Sequence, residues 1–163
     1  LSNISTAFSA LTNMPAKNDE EFDFVSVIKR TLDIFNTDEI HFTHSHDEIV
    51  AVFDKDQLGR VVTNLVKNAL QATENEPFPA IEVTLTKSEK DITLTVKDNG
   101  IGIADADKEK IFEPKFTTKT SGSGLGLAMV KNIVLSYNGS ISFTSQVGKG
   151  SEFVVTLVHF LYK

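Results

Sequence analysis

The chain has 163 residues, 40% hydrophobic and 23% charged, which suits one domain with a full core and leaves too little for two. A formal net charge of -6, with no local run of Lys and Arg, argues against holding nucleic acid or an anionic membrane surface through bulk electrostatics. There is no cysteine for disulfides or thiolate metal sites, and no apolar run nears the roughly 20 residues of a bilayer span, so the expectation is a soluble, cytoplasmic domain.

Leu1, Ile4, Phe8 and Leu11 follow a heptad-like spacing that Pro15 ends, and the chain opens on Leu rather than Met. Residues 1–15 are therefore expected to be the end of a longer helix, either pairing in a coiled coil or bundle or docking on its own domain, and the polar run 16–21 a linker into a domain covering 22–163. "FDFVSVIKRTLDIF" (22–35) predicts a short extended entry and a helix, with Val25, Ile28, Leu32 and Phe35 on one face. Short strands are expected at 39–44 and 49–53, and a helix from about Asp56 to Thr73, which "ENEPFP" breaks. The alternating runs 80–88 and 91–98 predict a hairpin, and a Gly-, Lys-, Thr- and Ser-rich loop covers 99–123. A helix near 125–137 and a last hairpin around "VGKG" close the chain. Helices segregated from a largely antiparallel sheet indicate an α+β two-layer sandwich, with about three helices on one face.

Three constellations stand out. On the helical wheel of 56–73, Leu58, Val61, Val62, Leu65 and Ala69 form the buried stripe, with Asn64, Asn68, Gln57 and Gln71 at its edge. Edge amides can be surface residues, or neutral oxygen ligands of the kind Mg²⁺ accepts beside phosphates. "DNGIGI" (98–103) puts a carboxylate at a strand end before two glycines; it is either a plain Asx-Gly turn or an acceptor for an exocyclic amine such as that of adenine. In "GSGLGLAMVKNIV" (122–134) a Gly-rich loop runs into a helix whose first N–H groups can hold an anion. Its spacing is neither that of a Walker loop nor that of a dinucleotide fingerprint.

Taken in order, "NLVKNALQA", "DNGIGI", "IFEPKFTTK" (111–119) and "GSGLGLAMVKNIV" resemble the N, G1, F and G2 boxes of the sensor histidine kinase ATP-binding domain. The resemblance covers roughly residues 22 to 158. It implies the GHKL (Bergerat) sandwich, binding ATP and Mg²⁺ between helices and sheet under a lid at 104–123. It also implies roles: Asp98 for the adenine amine, Gly100, Gly102 and Ile103 lining the base, and Asn68 on Mg²⁺ with Asn64 beside it. Phe112 and Phe116 would anchor the lid. Lys115, Lys119, Thr117 and Thr118 would approach the phosphates, and Gly122, Ser123, Gly124, Leu125, Gly126 and Leu127 would wrap them. Implied partners are a phosphoacceptor dimerisation domain of the same parent and a response regulator receiver domain. The parent is expected to be a homodimer held in a membrane.

Two departures matter. Many members of that family carry a cation where this chain has Gln71, which puts more weight on Lys115 and Lys119. The chain also offers no H-E-x-x-P-like phosphoacceptor; His46–Asp47 falls between short strands and reads as solvated. A hydrolase of the same fold would carry Glu where Asn64 stands, and an amide cannot serve as a general base. That favours a histidine kinase over a hydrolase. An inactive nucleotide-binding or interaction module is the third reading.

Overall fold

The computed structural model describes residues 16–114 and 126–158. Strand β1 (Asp19–Asp23) leads directly into helix α1 (Phe24–Asp33), and after β2 (Ile40–His44), β3 (Val50–Asp54) leads directly into α2 (Lys55–Ala72). The hairpin β4 (Ile81–Lys87) and β5 (Asp91–Asp98) follows, then a single 3₁₀ turn at Asp105–Asp107. Helix α3 (Gly126–Ser136) and the hairpin β6 (Ser140–Gln146) and β7 (Gly150–Val158) complete the chain.

Both strand-to-helix junctions turn on an aspartate. Asp23 Oδ1 accepts the N–H of Val25 at 3.1 Å and of Ile49 at 2.9 Å, while Asp54 Oδ1 accepts those of Asp56 at 2.9 Å and Gln57 at 3.1 Å. Each cap satisfies first-turn donors that have no partner within the helix. Burial pushes both carboxyls up. The backbone N–H groups they accept outweigh it, with the nearby charge of Arg60 helping at Asp54, and both lie below the usual carboxylate range.

Strands β1 and β3 pair antiparallel as a separate ribbon, and the main sheet has the order β2-β4-β5-β7-β6. Within it β2 runs parallel to β4 and the other neighbours are antiparallel. Along β4, β5 and β7 every second residue is buried: Ile81, Val83 and Leu85, then Ile92, Leu94 and Val96, then Phe153, Val155 and Leu157. This face meets Leu58, Val61, Val62, Leu65 and Ala69 of α2, which lies between α1 and α3. The sandwich, its three helices and its mixed, mostly antiparallel sheet agree with the sequence expectation.

The linker reading of 16–21 is corrected. Asp19, Glu20 and Glu21 belong to β1, opposite Asp54, Phe53 and Val52. Asn18 N donates to Asp54 Oδ2 at 2.8 Å, and the Tyr137 hydroxyl donates to Asp19. The acidic run is an edge strand held by partners distant in sequence, so the domain starts earlier than residue 22. The heptad-like residues 1–15 lie outside the described residues.

Candidate nucleotide site

Asp98 closes β5 in the middle of the sheet. Only 4% of its surface is exposed, and Oδ1 accepts Gly100 N at 2.8 Å. Burial pushes its carboxyl above the usual range, while the N–H groups of Gly100 and Ser151 pull it part of the way back. A desolvated carboxylate in this state gains from any further donor, and the amino group of a base is one.

The loop after Asp98 is wedged between helix and hairpin. Ile101 N donates to Ala72 O, the last residue of α2, at 3.0 Å, and Gly148 N, in the β6–β7 turn, donates to Ile101 O at 2.8 Å. A Cβ on Gly100 would come within 2.3 Å of Ala72 O. One on Gly102, whose φ is 76°, would come within 2.3 Å of Gln146 O. Both glycines are required because protein backbone fills the space beside them, so their small size is already explained before any ligand arrives. Ile103 N donates to Ser145 Oγ at 2.7 Å, and that hydroxyl also bonds Gly150 O at 3.1 Å and Ser151 Oγ at 2.8 Å.

Asn64 and Asn68 are half-buried on the edge of α2, as their spacing predicts. Asn64 Nδ2 donates to Arg60 O at 2.7 Å, which fixes the amide; its Oδ1 faces the start of α3, 2.9 Å from where a Cβ on Gly126 would stand. Asn64 on α2 and the Gly-led N-terminus of α3 are thus neighbours, although 62 positions separate Asn64 from Gly126 in the chain. Gln71 is half-buried on the same edge. Gln57 does not share this edge environment. It is 4% exposed, and its Oε1 has no partner among the described residues.

Phe112 packs edge-on against Phe143 and Phe153, at 5.8 Å and 6.4 Å between ring centroids, with Lys131 Nζ 5.3 Å from its own ring centre. The predicted anchor therefore sits on the core. Leu127 is half-buried against that core, on the first turn of α3. Lys115, Phe116, Thr117, Thr118, Lys119, Gly122, Ser123, Gly124 and Leu125 lie outside the described residues, so of the lid read at 104–123 only residues 104–114 are among them.

Residues missed from sequence also shape the site. A Cβ on Gly150 (φ 121°) would come within 2.0 Å of Asp98 O, so this glycine lets β7 back directly onto the acid. Asn99 accepts Ala80 N and donates to Phe78 O, both at 2.9 Å, tying the α2–β4 connection to the Asp98 loop. An isolated Gly opening a strand is the visible signal for the first. The partners of Asn99 become visible only once β4 and β5 are paired.

His46 lies in the connection after β2, with Nδ1 2.7 Å from Ser45 Oγ. In register, Asp98 stands beside Ile81 and Ile40, whereas Ser45 N bonds Leu85 O, four residues further along β4. That is about 13 Å at strand rise, so His46 sits toward the opposite end of the sheet from the acid.

Among the described residues no group of three or more His, Asp or Glu could hold a metal by itself. A divalent ion here would take amide and phosphate oxygens, a donor set that suits Mg²⁺. Fold and site together define a two-layer α/β sandwich with a buried acid at a strand end and, on α2, an amide beside the N-terminus of α3. The histidine kinase-, DNA gyrase B- and HSP90-like ATPase family model matches residues 53–159, and the chain belongs to that family. Sensor histidine kinase ZraS of Escherichia coli strain K12 is 38% identical over 141 residues, covering 83% of this chain and 30% of that protein. Sporulation kinase A of Bacillus subtilis is 33% identical over 132 residues, covering 81% and 22%. The chain thus spans under a third of these relatives. The catalytic domain of histidine kinase ThkA superposes with a TM-score of 0.76 at 28% identity, over 87% of this chain and 96% of that one. A mycobacterial sensor histidine kinase, MprB, gives 0.70 at 28% identity, over 86% and 98%. The chain is a catalytic domain of the histidine kinase type.

Proposed function

We propose that this domain binds Mg-ATP and transfers the γ-phosphoryl group to a histidine on a dimerisation domain of the same parent protein, for onward transfer to a response regulator. The parent is a homodimeric sensor at the membrane, with this domain on the cytoplasmic side. Asp98 accepts the adenine amine, and Asn68, with Asn64 beside it, holds the metal-bound phosphates. Mg²⁺ supplies charge neutralisation at the phosphates. The lone pair of an imidazole nitrogen attacks the γ-phosphorus, the β–γ bridging oxygen leaves with ADP, and the imidazole proton passes to a base beside that histidine. Lys115 and Lys119 contribute cations from the lid; if replacing each with Ala leaves ATP affinity and transfer unchanged, that role is refuted.

The observation that carries this reading is the environment of Asn64. The position beside the start of α3 holds an amide, which has no useful basicity near neutral pH, so Asn64 itself cannot take a proton from water. The chain alone is expected to bind Mg-ATP without labelling itself, and to label a fragment carrying the dimerisation helices and their histidine. Tight ATP binding with no transfer to that fragment would mark an inert module. Acid-labile phosphate on this chain, lost in His46→Ala, would mean that His46 is a phosphoacceptor after all.

A further inference from the structure

A triphosphate brings several negative charges to a site whose described walls are neutral or acidic. The edge of α2 carries the amides Gln71, Asn68 and Asn64, Asp98 adds a carboxylate, and the whole chain is at -6. Charge of one sign gathered in a cleft costs energy unless cations face it. Two of the described cations are engaged elsewhere: Lys108 pairs with Asp105 at 3.0 Å and donates to Ser145 O, and Lys131 lies over Phe112.

Arg60 differs. It continues the row Gln71, Asn68, Asn64 by one more turn, about 40° around the helix from Asn64. Its side chain is exposed and makes none of the ion pairs found among the described residues; its charge is felt at Asp54 only as a longer-range field. Its carbonyl receives the Asn64 amide at 2.7 Å, so residue 60 and the amide facing Gly126 are mechanically linked. Arg60, Thr63, Asn64 and Lys67 line the α2 side of one open cleft of about 710 Å³ that runs between α2 and α1, with Arg30 and Ile34 on the α1 side.

Direction along α2 decides which part of a nucleotide meets this cation. The Asp98 loop touches Ala72, at the C-terminal end of the helix, and Gly126 meets Asn64 two turns earlier. Arg60 comes a further turn on, about 6 Å beyond Asn64 and 18 Å from Ala72. A nucleotide with its base on Asp98 presents its last phosphate at the Asn64–Arg60 end.

We infer that Arg60 is a specificity-determining residue whose guanidinium contacts the γ-phosphate and makes the site prefer ATP to ADP. This rests on the ATP-binding reading above and adds to it the group that reads the third phosphate. Lys67 lines the same cleft about two turns from Arg60 along α2, and it serves as a control for general charge loss.

The test is calorimetric titration of the full chain with ATP and with ADP, in Mg²⁺, for wild type, Arg60→Ala, Arg60→Lys and Lys67→Ala. Arg60→Ala is expected to weaken ATP about tenfold and ADP less than about twofold, as for loss of one charge-assisted contact. Arg60→Lys falls between, and Lys67→Ala shifts neither nucleotide by more than about twofold. Equal losses for ATP and ADP, no loss at all, or the same selective loss in Lys67→Ala would overturn the inference while leaving ATP binding intact. A wild-type chain that binds neither nucleotide would overturn the ATP-binding reading itself, and this inference with it.

Discussion

At the scale of single residues, Asp98 carries the sharpest consequences. Its carboxyl titrates above the usual range because it is buried, so ionising it costs folding stability. The stability tied to this group is complete below the unfolded pKa near 4 and is lost as pH rises through the folded value. Asp98→Asn removes that cost at neutral pH. The variant is expected to melt no lower than wild type while losing at least about tenfold in ATP affinity, the worth of a hydrogen bond to a charged acceptor. Thermal unfolding and ATP titration on the same sample check both halves; a large drop in Tm would show that the carboxylate is structural. Because the ionised form is the stronger acceptor for the adenine amine, ATP affinity is also expected to fall as pH drops through the raised pKa, which titrations between about pH 4 and 8 would reveal. Gly100→Ala acts differently, since its Cβ would strike the carbonyl of Ala72. It should destabilise by several kcal/mol, the range of severe backbone overpacking, with chemical denaturation as the measure.

At the scale of elements, the two aspartate caps explain why α1 and α2 start where they do, and they predict acid sensitivity. The depressed pKa of Asp54 contributes stability above the unfolded value near 4 that is lost as pH falls through the folded one. Asp54→Ala should cost about 1–2 kcal/mol at pH 7, and its stability curve should flatten relative to wild type below about pH 4. Equal acid sensitivity in both proteins would refute this. Most elements were legible because each repeats a local signal: helical spacing in 24–33, alternation in 81–87 and 91–98, and Gly or Pro at the breaks. β1 was not. Its DEE run looks like a linker, and only pairing with β3, together with the bonds from Asn18 and Tyr137, makes it a strand. Charge on an edge strand is the ordinary guard against further pairing, and it hides the strand from local reading. In the site, the edge positions of Asn64 and Asn68 followed from the wheel, because the helix period alone decides them. Burial of Gln57 did not follow, nor did the contact between Asn64 and Gly126, since both depend on how α2 and α3 pack.

At the scale of the whole molecule, the sheet brings Asp98 to one end and leaves His46 toward the other, the arrangement expected if the proposed ATP site serves a histidine on a separate domain. Saturating Mg-ATP should stabilise the fold by about 2.7 kcal/mol at a hundred times Kd, seen as a raised Tm that EDTA reverses. The central claim is that the γ-phosphoryl group is held for a histidine and withheld from water. The most direct measurement is the partition of γ-labelled ATP between acid-labile phosphohistidine and free phosphate when the chain is mixed with its dimerisation-helix fragment, run beside Asn64→Glu. Wild type is predicted to place nearly all transferred label on histidine, and Asn64→Glu to release free phosphate while still binding ATP. Free phosphate as the main product of the wild-type chain, with no label on the fragment, would contradict it.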